Sequence, residues 1–235
     1  MPLTRNRKKA TTLFNVVTSN LLHLEAEETK LKDKNIPPEN KPNESIHKIQ
    51  KGLYFVHLYS AFEKSVNELI VRTLAVIESK SVKNKHYSLA FNTIAMDAKL
   101  MSYKSAGKDR ALGCAVSIFE SMGLNEHTKL NESMFAPKLQ NVWFDTAQLT
   151  LMSFGIPPLS DPNGQLKTSV DEVVDKRNAV AHGRMTADIV GGFQRCDVLQ
   201  DRTTAVQTVL ELITDTLEDF LVNKKYIAED YRHLY

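Results

Sequence analysis

Only two of the 235 residues are cysteine, Cys114 and Cys196, and they stand far apart with no C-x-x-C spacing. That pattern excludes a disulfide framework and a zinc ribbon, and it suits a reducing cytosol. No uninterrupted apolar run approaches the ~20 residues that span a bilayer. The basic start Arg5-Asn6-Arg7-Lys8-Lys9 lacks the apolar stretch of a signal peptide, so no membrane association is expected and the cytoplasm is the expected location. Charge of one sign is missing too. Thirty Lys and Arg against 28 Asp and Glu leave a net +2, without the basic excess of a protein that coats long nucleic acid. Any contact with phosphate must come from a local cluster. Neither a G-x-x-x-x-G-K-[ST] nor a G-x-G-x-x-G loop occurs, which removes P-loop and dinucleotide chemistry, and there is no G-x-S-x-G elbow. The histidines number 7 and show no H-E-x-x-H or paired-ligand spacing, so no metal and no cofactor are expected. His57, inside an apolar run, reads as a core residue with a satisfied ring.

Glycine (9) and proline (8) are sparse, and apolar residues recur at three- and four-residue steps. The expected fold is all-α, a single helical domain over residues 1–235. Residues 1–44 hold an N-terminal helix and a proline-rich linker, 45–225 the core, and 226–235 a tail. With 42% hydrophobic residues the chain can bury a sizeable core. The pattern predicts helices from about Lys9 to Asp33 and from about Ser45 to Lys80, the second apolar nearly all round through Leu53–Glu63 and so buried on several sides. Shorter helices are expected over Leu89–Tyr103, Asp109–Met122 and Leu139–Phe154, the last carrying Trp143. Ser169-Val170-Asp171-Glu172 matches a capping box and opens a helix that runs to His182 and stops at Gly183, a suitable left-handed terminator. A polar loop and a long amphipathic helix from about Asp197 to Asn223 follow.

The helix ending at His182 carries an unusual polar cluster. Asn178 and His182 are four residues apart and share a face, which Asp171 and Asp175 extend. Arg177 lies at the border of the buried stripe beside Val173 and Val174. A guanidinium keeps its charge and grips phosphate with two donors, while an imidazole titrates near neutrality. These are the tools for cleaving RNA without metal: a base for the 2′-hydroxyl and a cation for the charge that builds on phosphorus. The same residues have a purely structural explanation, since histidine suits a helix C-terminus and a border arginine commonly pairs with an acid.

Arg177-Asn178-Ala179-Val180-Ala181-His182-Gly183 resembles the R-[polar]-x3-H signature of the HEPN superfamily, and Leu58-Tyr59-Ser60-Ala61-Phe62-Glu63 resembles the long helix of its RiboL-PSP-like branch, in which an aromatic–Glu pair is usual. The resemblance spans roughly Ser45–Tyr226 and is specific in the motif helix. It implies a HEPN-like helical bundle and a homodimer with a composite endoribonuclease site that leaves 2′,3′-cyclic phosphate ends. Arg177 and His182 would be catalytic, Asn178 would orient them, and Glu63 would support the motif or pair with Arg177. Lys176 and Arg184 flank the motif as candidate contacts to RNA. A toxin or anti-phage abortive-infection role, with a neutralising or regulatory protein partner, is implied by the resemblance alone. The rival expectation is a catalytically silent HEPN-like scaffold that binds nucleotide, RNA or a protein. The apolar surface for a dimer is expected from the motif helix and from Tyr54–Phe62.

Overall fold

A 35-residue helix, α2 (Glu44–Glu78), runs through the middle of the molecule. Asn43 starts it by accepting the Ile46 N–H at 3.1 Å, so the cap lies two residues before the expected Ser45. Tyr54, Phe55, Leu58, Tyr59 and Phe62 are all buried, and no other helix is enclosed on so many sides. The computed structural model describes all 235 residues, 71% of them helical, with no strand. One isolated antiparallel bridge, Tyr87 with Ile227, is the only β pairing. No helix is long and apolar enough to cross a membrane.

Four helices surround α2: α1 (Thr4–Lys32), α7 (Gln165–Ala181), α8 (Ala187–Gly192) and α9 (Cys196–Val222). α1 buries Phe14, Val17, Leu21 and Leu24 along one stripe, and α9 buries Val206, Val209, Ile213, Leu217 and Phe220. α8 replaces part of the expected polar loop. It lies so close to α2 that a Cβ on Gly191 would sit 1.9 Å from the Lys48 carbonyl oxygen, and one on Gly52 2.0 Å from that of Ala187. Small residues at both points let the two backbones touch.

The middle of the chain departs most from expectation. In place of one helix over Leu89–Tyr103 there is a short turn, α3 (Asn92–Ala95), and then α4 (Asp97–Ser105). The Ser88 N–H is given to the Tyr226 carbonyl and the His86 carbonyl accepts from Ala228, which holds Tyr87 extended between them and delays the helix. α5 (Lys108–Met122) follows as expected. α6 (Phe144–Ser153) starts five residues late, and Trp143 precedes it. The tail is packed: Tyr226 is buried, Tyr231 stacks on His86, and the Tyr235 hydroxyl meets His86 Nδ1 at 2.8 Å. His57 is half-buried, with Nδ1 3.4 Å from the Asn20 amide nitrogen.

Candidate active site

The motif helix α7 begins earlier than the capping-box pattern implies. Asp161 reaches across the preceding turn, its carboxylate accepting the N–H groups of Leu166 (3.2 Å) and Lys167 (2.8 Å). A carboxylate suits the positive end of the helix, and Ser169 therefore lies inside α7 and does not cap it. The other end follows expectation. Gly183 adopts φ +67°, its N–H reaching the Val180 carbonyl, and the Met185 N–H reaches that of Ala179. Only a residue without Cβ takes that conformation cheaply, so the chain turns sharply away just after His182.

Burial of Val170, Val173 and Val174 against α2 and α9 fixes the rotation of α7. That rotation turns Arg177 toward Tyr59 of α2. The guanidinium carbon stands 3.7 Å from the centre of the phenol ring, a close cation–π stack. Nη2 donates to the Asn141 side-chain oxygen at 3.0 Å. Tyr59 is itself held: its hydroxyl accepts the Val142 N–H at 2.8 Å and donates to the Gln140 carbonyl at 3.4 Å. Burial pushes its phenol above the ordinary range. A strap over residues 139–142, fastened further by the Asn67 amide on the Leu139 carbonyl, thus holds Asn141 against the arginine. The same strap delays α6, whose first N–H is capped by Asp171 of α7 at 3.0 Å.

Arg177 is half-buried and makes no ion pair. Its Nε and the neighbouring Asn178 Oδ1 are both buried without a hydrogen-bond partner, which is rare for polar atoms in a finished interior. His182 is exposed. Its backbone N–H bonds to the Asn178 carbonyl at 3.0 Å, and the ring is left uncommitted. Lys176 is half-buried, and Arg184 is exposed with a loose 3.6 Å pair to Asp175. The sequence did not single out Asn141, and it offered Tyr59 only as part of an aromatic–Glu pair. Tyr54–Phe62 is used up in the core and offers little to a dimer. Near its start α2 turns the apolar Ile46, Ile49 and Leu53 outward, at one-turn spacing on a single face.

Glu63 lies one turn beyond Tyr59 on α2. Burial raises its carboxyl above the usual range, and the charge of Arg177 offsets this in part. A raised folded-state pKa favours the fold below the unfolded pKa, and this advantage is lost as pH rises through the folded value. Glu63→Gln is therefore expected to raise the melting temperature at neutral pH, the gain fading as pH falls through the raised folded value and gone below about pH 4.3, the ordinary glutamate value. Thermal melts of both proteins across that range check it. A variant less stable at neutral pH would mean that attraction to Arg177 outweighs burial.

The RiboL-PSP-HEPN family model matches residues 19–219, which includes α2, the strap, the motif helix and most of α9. No match was found among curated proteins or among solved structures. With the match covering most of its length, the chain belongs to the HEPN superfamily, in the RiboL-PSP-like family.

Proposed function

We propose that the protein is a metal-independent endoribonuclease that cleaves RNA through the 2′-hydroxyl, with Arg177 and His182 as its catalytic residues. Membership of the family supports a nuclease or RNA-related role in general. The observation that carries the finer statement is how Arg177 is held. An aromatic face and a neutral amide position it, and no carboxylate forms a direct ion pair with it, Glu63 acting on it only at longer range, so its donors remain for an anion. The uncommitted ring of His182 lies five residues further along the same helix end.

In this mechanism an imidazole takes the 2′-hydroxyl proton as that oxygen attacks the adjacent phosphorus. Arg177 stabilises the charge on the non-bridging oxygens, and the 5′-oxygen leaves with a proton from a second imidazole. The products are a 2′,3′-cyclic phosphate and a 5′-hydroxyl. A second copy of His182 across a dimer supplies the second imidazole. The exposed Ile46–Ile49–Leu53 face is apolar surface for the partner. A dimer at micromolar concentration is expected in light scattering, and a monomer at that concentration would remove the composite site. Such an activity suits a toxin or anti-phage effector with a neutralising protein partner. Incubation with total RNA and tRNA in EDTA tests the proposal: cleavage should persist with cyclic phosphate ends, and an all-deoxy strand should stay whole. Dependence on added metal while the fold stays intact, or ends of another kind, would refute it.

One observation favours the catalytically silent scaffold. Arg177 also joins α7 to α2 and to the strap, a structural task in its own right. On that alternative, substitutions at Arg177 and His182 lower stability without a specific loss of cleavage.

A further inference from the structure

Away from the motif, three side chains distant in sequence converge where α1, α2 and α9 meet. A carboxylate oxygen of Glu28, a ring nitrogen of His47 and the sulfur of Cys196 all lie within 4.8 Å of one another. His47 is 3% exposed and Cys196 4%. We propose that these three side chains bind a zinc ion that ties the end of α1 and the starts of α2 and α9 together. His47 precedes Tyr59 by twelve residues, about 18 Å along the helix, so this site is separate from the motif.

The state of His47 distinguishes this cluster from an ordinary polar contact. Its Nδ1 lies 3.2 Å from the Glu27 carboxylate, while Nε2 is buried and has no hydrogen-bond partner. A carboxylate behind one ring nitrogen fixes the tautomer that bares the lone pair of the other, which is how metal-bound histidines are commonly oriented. Glu28 is anchored as well: Oε2 accepts the Cys196 N–H at 3.0 Å and Oε1 the Lys32 ammonium at 2.5 Å. An ionised carboxylate retains further lone pairs for a cation. Although burial works to raise its pKa, the hydrogen bonds from Cys196 and Lys32 hold Glu28 down at about 2. Burial and the neighbouring Glu28 push the Cys196 thiol up to about 12. A divalent cation removes that penalty, since thiolate and carboxylate together cancel its charge.

Sulfur, imidazole and carboxylate form a borderline-soft donor set that suits zinc and does not suit magnesium or calcium. Binding replaces the S–H bond with an S–Zn bond and releases the proton to solvent; nothing is oxidised or reduced. A groove of about 230 Å³, lined in part by Glu25, Thr29 and Arg195, reaches Glu28 and Cys196 from solvent and gives the ion an entry path. Three ligands leave one tetrahedral position for water.

The test uses the full chain, stripped with chelator and titrated with Co²⁺ and then Zn²⁺. Wild type should bind one Co²⁺ with a sulfur-to-metal charge-transfer band. Zn²⁺ should displace it and, at a hundredfold excess over its dissociation constant, raise the melting temperature by about 5–10 °C. The band should vanish in Cys196→Ser, weaken in His47→Gln and persist in Cys114→Ser. Because the band requires a thiolate, metal picked up by His182 cannot imitate it. No sulfur band in wild type, a band that survives Cys196→Ser, or zinc that binds without raising the melting temperature would each overturn the site. Should Cys196→Ser fail to fold, His47→Gln and the wild-type titrations decide alone.

Discussion

Replacing His182 with alanine is expected to lower RNA cleavage by about 10²–10⁴-fold, the usual worth of a general acid or base. The melting temperature should move by no more than about 2 °C, because a surface side chain without partners contributes at most about 0.5 kcal/mol. That separation of rate from stability is what a structural histidine cannot produce. Arg177→Lys should also impair cleavage severely, since an ammonium keeps the charge and loses the planar fork. It will be less clean, because the lysine also gives up the 3.7 Å stack on Tyr59 and the bond to Asn141. Asn178→Ala should fall between. Cleavage rate and melting temperature measured on the same preparations decide the matter, and a fall in both by the same variants, with no specific loss of rate, would support the scaffold.

The largest expected effect on stability lies at Gly191. An alanine Cβ there would stand 1.9 Å from the Lys48 carbonyl oxygen and 2.6 Å from the Gly52 nitrogen. Both are backbone atoms of α2, so no side chain can swing aside. α8 must retreat, and the packing of the fully buried Val190 goes with it. Loss of about 3 kcal/mol or more is expected, at the upper end of overpacking costs, with a melting temperature lowered by about 6–12 °C. Gly113→Ala is the control. It lies inside α5 with nothing within 4 Å of an added Cβ, and should stabilise by about 0.5–1 kcal/mol through helix propensity alone. Calorimetry on the two variants gives the contrast, and a Gly191→Ala protein melting like wild type would mean that α8 and α2 do not touch. Since α8 follows the motif after a few residues, cleavage by the surviving fraction should also decline.

What the sequence made legible was whatever is decided locally. The apolar surround of Tyr54–Phe62 announced a central helix, the stripe of α9 its buried face, and Gly183 the stop of the motif helix. Arg177, Asn178 and His182 could be named as candidates because they share one helix end. Contacts between distant segments left no such trace. Asp161 caps α7 across a turn in place of Ser169, and Asn141 meets Arg177 only because the 139–142 strap is tied to Tyr59. α8 was hidden because its two glycines read as a break when taken alone, whereas against α2 they allow close approach. Glu28, His47 and Cys196 likewise have no spacing that would join them before folding.

The clamp on Arg177 has a thermodynamic side. A free arginine side chain carries about 2 kcal/mol of rotamer freedom, which a flexible surface arginine must surrender when it grips an anion. Stacked on Tyr59 and bonded to Asn141, this one surrendered it when the chain folded. An anion meeting the guanidinium therefore encounters a donor already immobilised, and association should carry a correspondingly small entropic penalty. Tyr59→Leu would return that freedom to the unliganded state, weakening anion binding through its entropy while the charge on Arg177 stays the same.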